Sequence, residues 1–125
     1  MKFLVDAQTI YDFFNGKTEL FHFFEDTENI YVSVISQGEL YSKTEKITKK
    51  QEYFRFASDF CHLLHILDVD EPIAIEYSKL KQKYPDLEQN KLWLCATAIT
   101  RDLIIVSQDK DYLKVKEIVV KIINT

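Results

Sequence analysis

Four short runs of β-branched and apolar residues, set apart by stretches of helical period, constrain this chain more than anything else in it. They are Lys2–Val5 (KFLV), Ile30–Ile35 (IYVSVI), His65–Val69 (HILDV) and Leu103–Ser107 (LIIVS), with Glu117–Ile123 (EIVVKII) a candidate fifth. The first, second and fourth are mostly continuous rather than alternating, as expected for strands covered on both faces. Between them the period changes. Ile10, Phe13 and Phe14 predict a helix over 7–15, and Leu20, Phe21, Phe23 and Phe24 a short second one. Further helices are predicted over Lys49–Leu64, Pro72–Lys83 and Leu87–Thr100. Strands alternating with helices require crossover connections, so the pattern predicts an open α/β fold with a parallel sheet flanked by helices. At 125 residues this is one domain, 1–125, long enough to bury a real core.

Scarce glycine narrows the function. Gly16 and Gly38 are the only two, and they stand alone. Phosphate loops and dinucleotide fingerprints need two or three glycines a few residues apart, so neither is present. Cys61 and Cys95 lie in apolar stretches and read as reduced core residues. No apolar run approaches the 18 residues of a membrane span, and Asp6 cuts short any leader-like start. The expectation is a cytoplasmic domain with no membrane partner.

In an open parallel sheet, ligands bind beyond the carboxyl ends of the strands. Asp6 directly follows FLV, Glu39 follows IYVSVI by four residues, and Asp109 follows LIIVS by two, with Asp111 close behind. Parallel strands end on one side, so these acids can converge although over a hundred residues separate the first from the last. Oxygen donors without histidine or cysteine suit Mg²⁺ or Mn²⁺, ions that activate water and stabilise a phosphoryl transition state. Each acid also has a local explanation. Asp6 can cap the helix at 7–15, Asp109 can cap a turn at 110–114, and Ser36-Gln37-Gly38-Glu39 matches a capping box.

Three segments together resemble the PIN domain, the fold of VapC-like toxin ribonucleases. FLVDAQTIYDFF resembles its opening strand–Asp–helix segment, and VSVISQGELY the segment bearing its glutamate. LWLCATAITRDLIIVSQDKDY resembles its LWIAATA-like helix, strand and T-x-D-x-D-F run. The resemblance implies a sheet of order 3-2-1-4-5 and a divalent-metal endoribonuclease, the toxin of a toxin–antitoxin pair. It aligns Asp6, Glu39 and Asp109 with catalytic, metal-binding acids and Asp111 with an accessory one. It also implies RNA and a cognate antitoxin protein docked on the helices after Glu39 as partners; a second copy of the chain is a further candidate partner that the sequence alone does not decide. The sequence departs from the pattern at Gln8 (usually Asn), at Ser107 (usually Thr) and at Lys91, where the family carries an aspartate. That last change reverses a charge and places an ammonium where a cation would sit; Glu88 or Asp86 could replace the missing acid. The alternative is a PIN module that binds RNA or protein without cutting.

The remaining candidates are weaker. Lys43, Lys46, Lys49, Lys50 and Arg55 outnumber Glu45 and Glu52, giving 43–55 a local net of +3 against −4 overall. This stretch can hold an RNA backbone, with Tyr41, Tyr53 and Phe54 stacking on bases, or it can be a solvated face. His62 and His65 have helical spacing but no third ligand, and read as packing residues; His22, among phenylalanines, reads as a core histidine. A receiver domain, with Asp68 as phosphoacceptor and Ser107 as its hydroxyl, requires paired acids after the first strand that are lacking here.

Overall fold

A computed structural model of the chain describes residues 1–43 and 48–124. Five parallel strands, β1 (Phe3–Val5), β2 (Ile30–Ser33), β3 (His65–Leu67), β4 (Ile104–Ser107) and β5 (Val120–Ile122), form a sheet of order β3-β2-β1-β4-β5. The helices are α1 (Ala7–Phe14), α2 (Thr18–Asp26), α3 (Val34–Ser42), α4 (Lys50–His62), α5 (Glu71–Lys83) and α6 (Gln89–Arg101), and a 3₁₀ turn covers Lys110–Lys114. The expected open α/β sheet and its strand order are both observed.

Alternate side chains of the central strands feed two separate cores, as the two-residue period of a strand requires. Leu4 and Ile105, paired across β1 and β4, face Ile73 and Leu80 of α5 and Leu92, Cys95 and Ala96 of α6. Their neighbours Val5 and Val106, also paired, face Ile10 of α1, Leu20 and Phe23 of α2, Leu40 of α3, and Ala57 and Cys61 of α4. Both strands are therefore apolar along their length up to Ser107 at the end of β4, which explains their continuous runs. Cys61 and Cys95 are buried and free, as expected.

Four local expectations are corrected. The second strand stops at Ser33, and Val34 and Ile35 already belong to α3. Ser33 caps that helix by accepting from Ile35 N–H at 3.1 Å, so Ser36 is a buried interior residue and no capping box forms with Glu39. His22 is exposed, because α2 turns Leu20 and Phe23 inward. His62 and His65 are exposed too; His62 Nδ1 lies 2.7 Å from the Ser58 carbonyl, and the His65 ring stacks on Tyr31 at 4.7 Å.

Leu4 is fully buried at the middle of the sheet. Leu4→Ala is expected to cost about 3 kcal/mol through the lost transfer energy and the cavity left behind. Urea denaturation with an unchanged slope checks this; a loss below about 1 kcal/mol contradicts the two-core packing.

Candidate functional site

The chain runs outward from β1 through β2 to β3, then returns to place β4 on the other side of β1. The order therefore reverses between β1 and β4, and in open α/β sheets that crevice is where ligands bind. Here a cleft of about 410 Å³ opens there, lined by Asp6, Gln8, Asp12, Glu39, Glu88, Asn90, Lys91, Ser107, Gln108, Asp109 and Tyr112 among others. Asp6, Glu39 and Asp109 thus come to one cleft from three separate segments. Asp111 does not line it.

Asp6 directly follows β1 and caps α1, accepting from Thr9 N–H at 3.0 Å through Oδ1. Its other oxygen accepts from Ser107 Oγ at 2.5 Å, and the same hydroxyl accepts from Asp109 N–H at 2.9 Å. Asp109 caps the 3₁₀ turn through Asp111 N–H at 2.9 Å. Capping and convergence are therefore not alternatives: the caps are what aim these carboxylates. Glu39 lies on α3 and is half-buried.

Burial pushes the Asp6 carboxyl above its ordinary pKa; the bonds from Ser107 and Thr9 only partly offset it, and the charge of Asp109 adds to it. Glu39 is raised as well, by burial first. An Asn90 hydrogen bond pulls it down, Glu88 and Asp6 push it up, and Lys43 pulls it down.

Lys91 stands in the first turn of α6, where the family pattern has an acid. Its Nζ lies 2.9 Å from Asp109 Oδ2 and 4.0 Å from Asp111 Oδ2. Burial opposes the charge on Lys91, but the Asp109 bond and the charges of Asp109, Glu88 and Asp111 outweigh it and raise its pKa. Burial likewise works against Asp109, which is nevertheless held below the ordinary range by Asp111 N–H and Lys91. The pair is partly exposed, so its own contribution to stability is at most about 1 kcal/mol. Glu88 caps α6, accepting from Asn90 N–H and Lys91 N–H at 3.1 Å each. Asp86 lies instead beside Lys83, Tyr84 and Lys114. Of the two acids that could replace the missing one, only Glu88 reaches the cleft.

The basic stretch is divided. Lys43 reaches the cleft side, donating to Gln8 Oε1 at 2.9 Å. Lys50 and Arg55 line a different groove of about 540 Å³ with Tyr41 and Phe54, whose rings meet at 4.8 Å. Lys49 is exposed beside Glu52, and Lys46 lies outside the described residues. Tyr53 donates its hydroxyl to the Leu40 carbonyl and packs on Tyr11 and Phe14, so it does not offer a stacking face. Asp68 is exposed and absent from the cleft, which removes the receiver arrangement. Sequence reasoning gave no role to Asn90, Tyr112 or the Gln108–Asp12 bond of 2.6 Å; each depends on a contact between distant segments.

The cleft's carboxylates fit a hard divalent ion by chemistry, and no imidazole or thiol is among the described residues that line it. The Lys91 ammonium, a fixed cation beside Asp109, stands in for positive charge there. Among the described residues, no three of these side chains are already assembled as a finished metal cage.

The profile of the PIN domain matches residues 3–118. The toxin–antitoxin complex VapBC2 from Rickettsia felis, solved on a promoter DNA fragment, has a chain similar to this one with a TM-score of 0.88 at 16% identity, over 99% of this chain and 100% of that one. DNA-bound VapBC from Salmonella typhimurium gives 0.83 at 21% identity over 97% of each chain. FitAcB from Neisseria gonorrhoeae gives 0.81 at 18%, over 94% of this chain and 95% of that one. At such identities the likeness is one of fold. No curated protein matches.

The raised Asp6 fixes the sign of a pH effect. The folded chain holds this proton more tightly than the unfolded chain, so ion-free stability falls as pH rises above about 4, the ordinary aspartate range. Asp6→Asn removes that cost and keeps a cap for Thr9 N–H. In EDTA it is expected to melt above wild type at pH 7, the difference shrinking as pH falls well below about 4, where the carboxyl is protonated in the folded and the unfolded chain alike. A lower Tm for the variant at pH 7 contradicts this account.

Proposed function

The chain belongs to the PIN-domain family, and we propose from that premise that it is a divalent-metal-dependent endoribonuclease, the toxin of a toxin–antitoxin pair. The observation that carries this reading is the convergence of Asp6, Glu39 and Asp109 on one cleft at the β1/β4 crevice. Asp6, Glu39 and Asp109 would hold Mg²⁺ or Mn²⁺, with Asp111 behind Asp109. The ion, when bound, lowers the pKa of an attacking water and neutralises charge on the phosphodiester.

The protein's own groups supply the rest. Ser107 and Thr9 N–H fix both oxygens of Asp6, so its orientation is set before substrate arrives. Glu39, half-buried on α3, would ligate that ion or orient the attacking water. Lys43 beside the cleft, and Lys50 and Arg55 in the neighbouring groove, offer positive charge to an RNA backbone, while the exposed Phe54 offers a stacking face. Lys46 and Lys49 extend the same basic stretch. An antitoxin partner is supported by the complexes of the similar chains and by the exposed Phe21, Phe54 and Phe56 on α2 and α4.

A second reading, a PIN module that binds RNA or protein without cleaving, is favoured by one distance, the 2.9 Å between Lys91 Nζ and Asp109 Oδ2. Cleavage of RNA by the purified chain with Mn²⁺ separates the two. Wild type is expected to cut, EDTA to stop it, and Asp6→Asn and Glu39→Gln each to slow it by roughly a hundredfold or more. Cleavage that survives Asp6→Asn comes from a contaminant and overturns the enzyme; cleavage that arises only in Lys91→Asp establishes the silent module.

A further inference from the structure

The charges around the cleft leave one group whose role the family pattern does not supply. Five carboxylates line the cleft, Asp6, Asp12, Glu39, Glu88 and Asp109, and Lys91 is the lysine among the described lining residues. Asp12 lies 3.9 Å from Lys17 Nζ, while Glu88 accepts only from neutral backbone N–H groups and keeps its charge. An aspartate at position 91 would make the cleft more negative by two units, the charge of one divalent ion. With lysine there, that much less positive charge is needed from outside.

We infer that Lys91 is a resident cation that replaces a second ion, so that the cleft takes a single divalent ion on the side of Asp6 and Glu39, with Asp109 shared with the ammonium. This rests on reading the cleft as an ion site. The geometry is specific to Lys91. Its Nζ pairs with Asp109 at 2.9 Å, its side chain is only 21% exposed, and its backbone is pinned by Glu88. Lys43 engages Gln8 and lies 5.0 Å from the Tyr11 ring centroid, and Lys114 pairs with Asp111 at 3.1 Å, so neither duplicates that role. Lys91 is therefore a positioning residue. It holds Asp109 in place without an ion and sets how many ions the site accepts.

Calorimetric titration of the full chain with Mn²⁺ alone, with circular dichroism to confirm folding, tests this independently of cleavage. Wild type is expected to bind one ion per chain, and Lys91→Asp two. Lys91→Gln is expected to bind one ion about tenfold more tightly, the scale of one charge acting across a few ångström of partly solvated protein. Lys91→Arg, which keeps the charge, is expected to match wild type. Two ions on wild type, or no tightening in Lys91→Gln, overturns the role of Lys91 while the ion site stands. An ion bound by Lys91→Asp and not by wild type also overturns it, since lysine then excludes the metal rather than replacing one. Folded variants that all fail to bind Mn²⁺ overturn the ion site itself, and this inference with it.

Discussion

Ser107 Oγ donates to Asp6 Oδ2 across 101 residues of sequence, and both residues are buried at the point where the sheet reverses its strand order. Around this contact β1 and β4 must end in register, which the pairing of Val5 with Val106 provides. The same hydroxyl receives Asp109 N–H, so one serine sets the relative position of two carboxylates from opposite ends of the chain. A small hydroxyl suits this place because it can donate and accept at once in a space that closes on both sides. Shift either strand by one residue and the two acids point to opposite faces.

Much of this was legible in the sequence. Continuous apolar runs betrayed buried parallel strands, and Asp6 and Asp109 stood where such strands end. The strand order needed the family resemblance, because periodicity does not say which strand lies beside which. The end of β2 was not legible, since Val34 and Ile35 are as apolar in a helix as in a strand and only the Ser33 cap decides between them. His22 was misplaced for a related reason. In a run of phenylalanines composition hides the period, and only packing showed that Leu20 and Phe23 are the inward pair. Contacts such as Gln108 with Asp12, 96 positions apart, leave no local trace at all.

Net charge was a poor guide to the chain's chemistry. The overall −4 and the basic stretch at 43–55 are both averages over residues that the fold separates. What matters is a cleft in which buried Asp6 and the partly exposed Glu39 and Asp109 stand with the Lys91 ammonium, with Lys43 at its side and a second groove carrying Lys50 and Arg55. The lack of glycine belongs to the same picture. A site built from side-chain carboxylates has no need of backbone amides brought close by glycine turns.

The passage from β2 to α3 has no loop: Ser33 is both the last strand residue and the helix cap. Glu39 therefore inherits its direction from the sheet through a single helical turn and a half. Each residue of a helix advances the side chain by about 100°, so one residue inserted or deleted between Ser33 and Glu39 would swing the carboxylate out of the cleft. Most surface connections absorb changes of length. This one cannot, and variation there is confined to exchanging one side chain for another. The segment works as a ruler whose length the fold has made part of the chemistry.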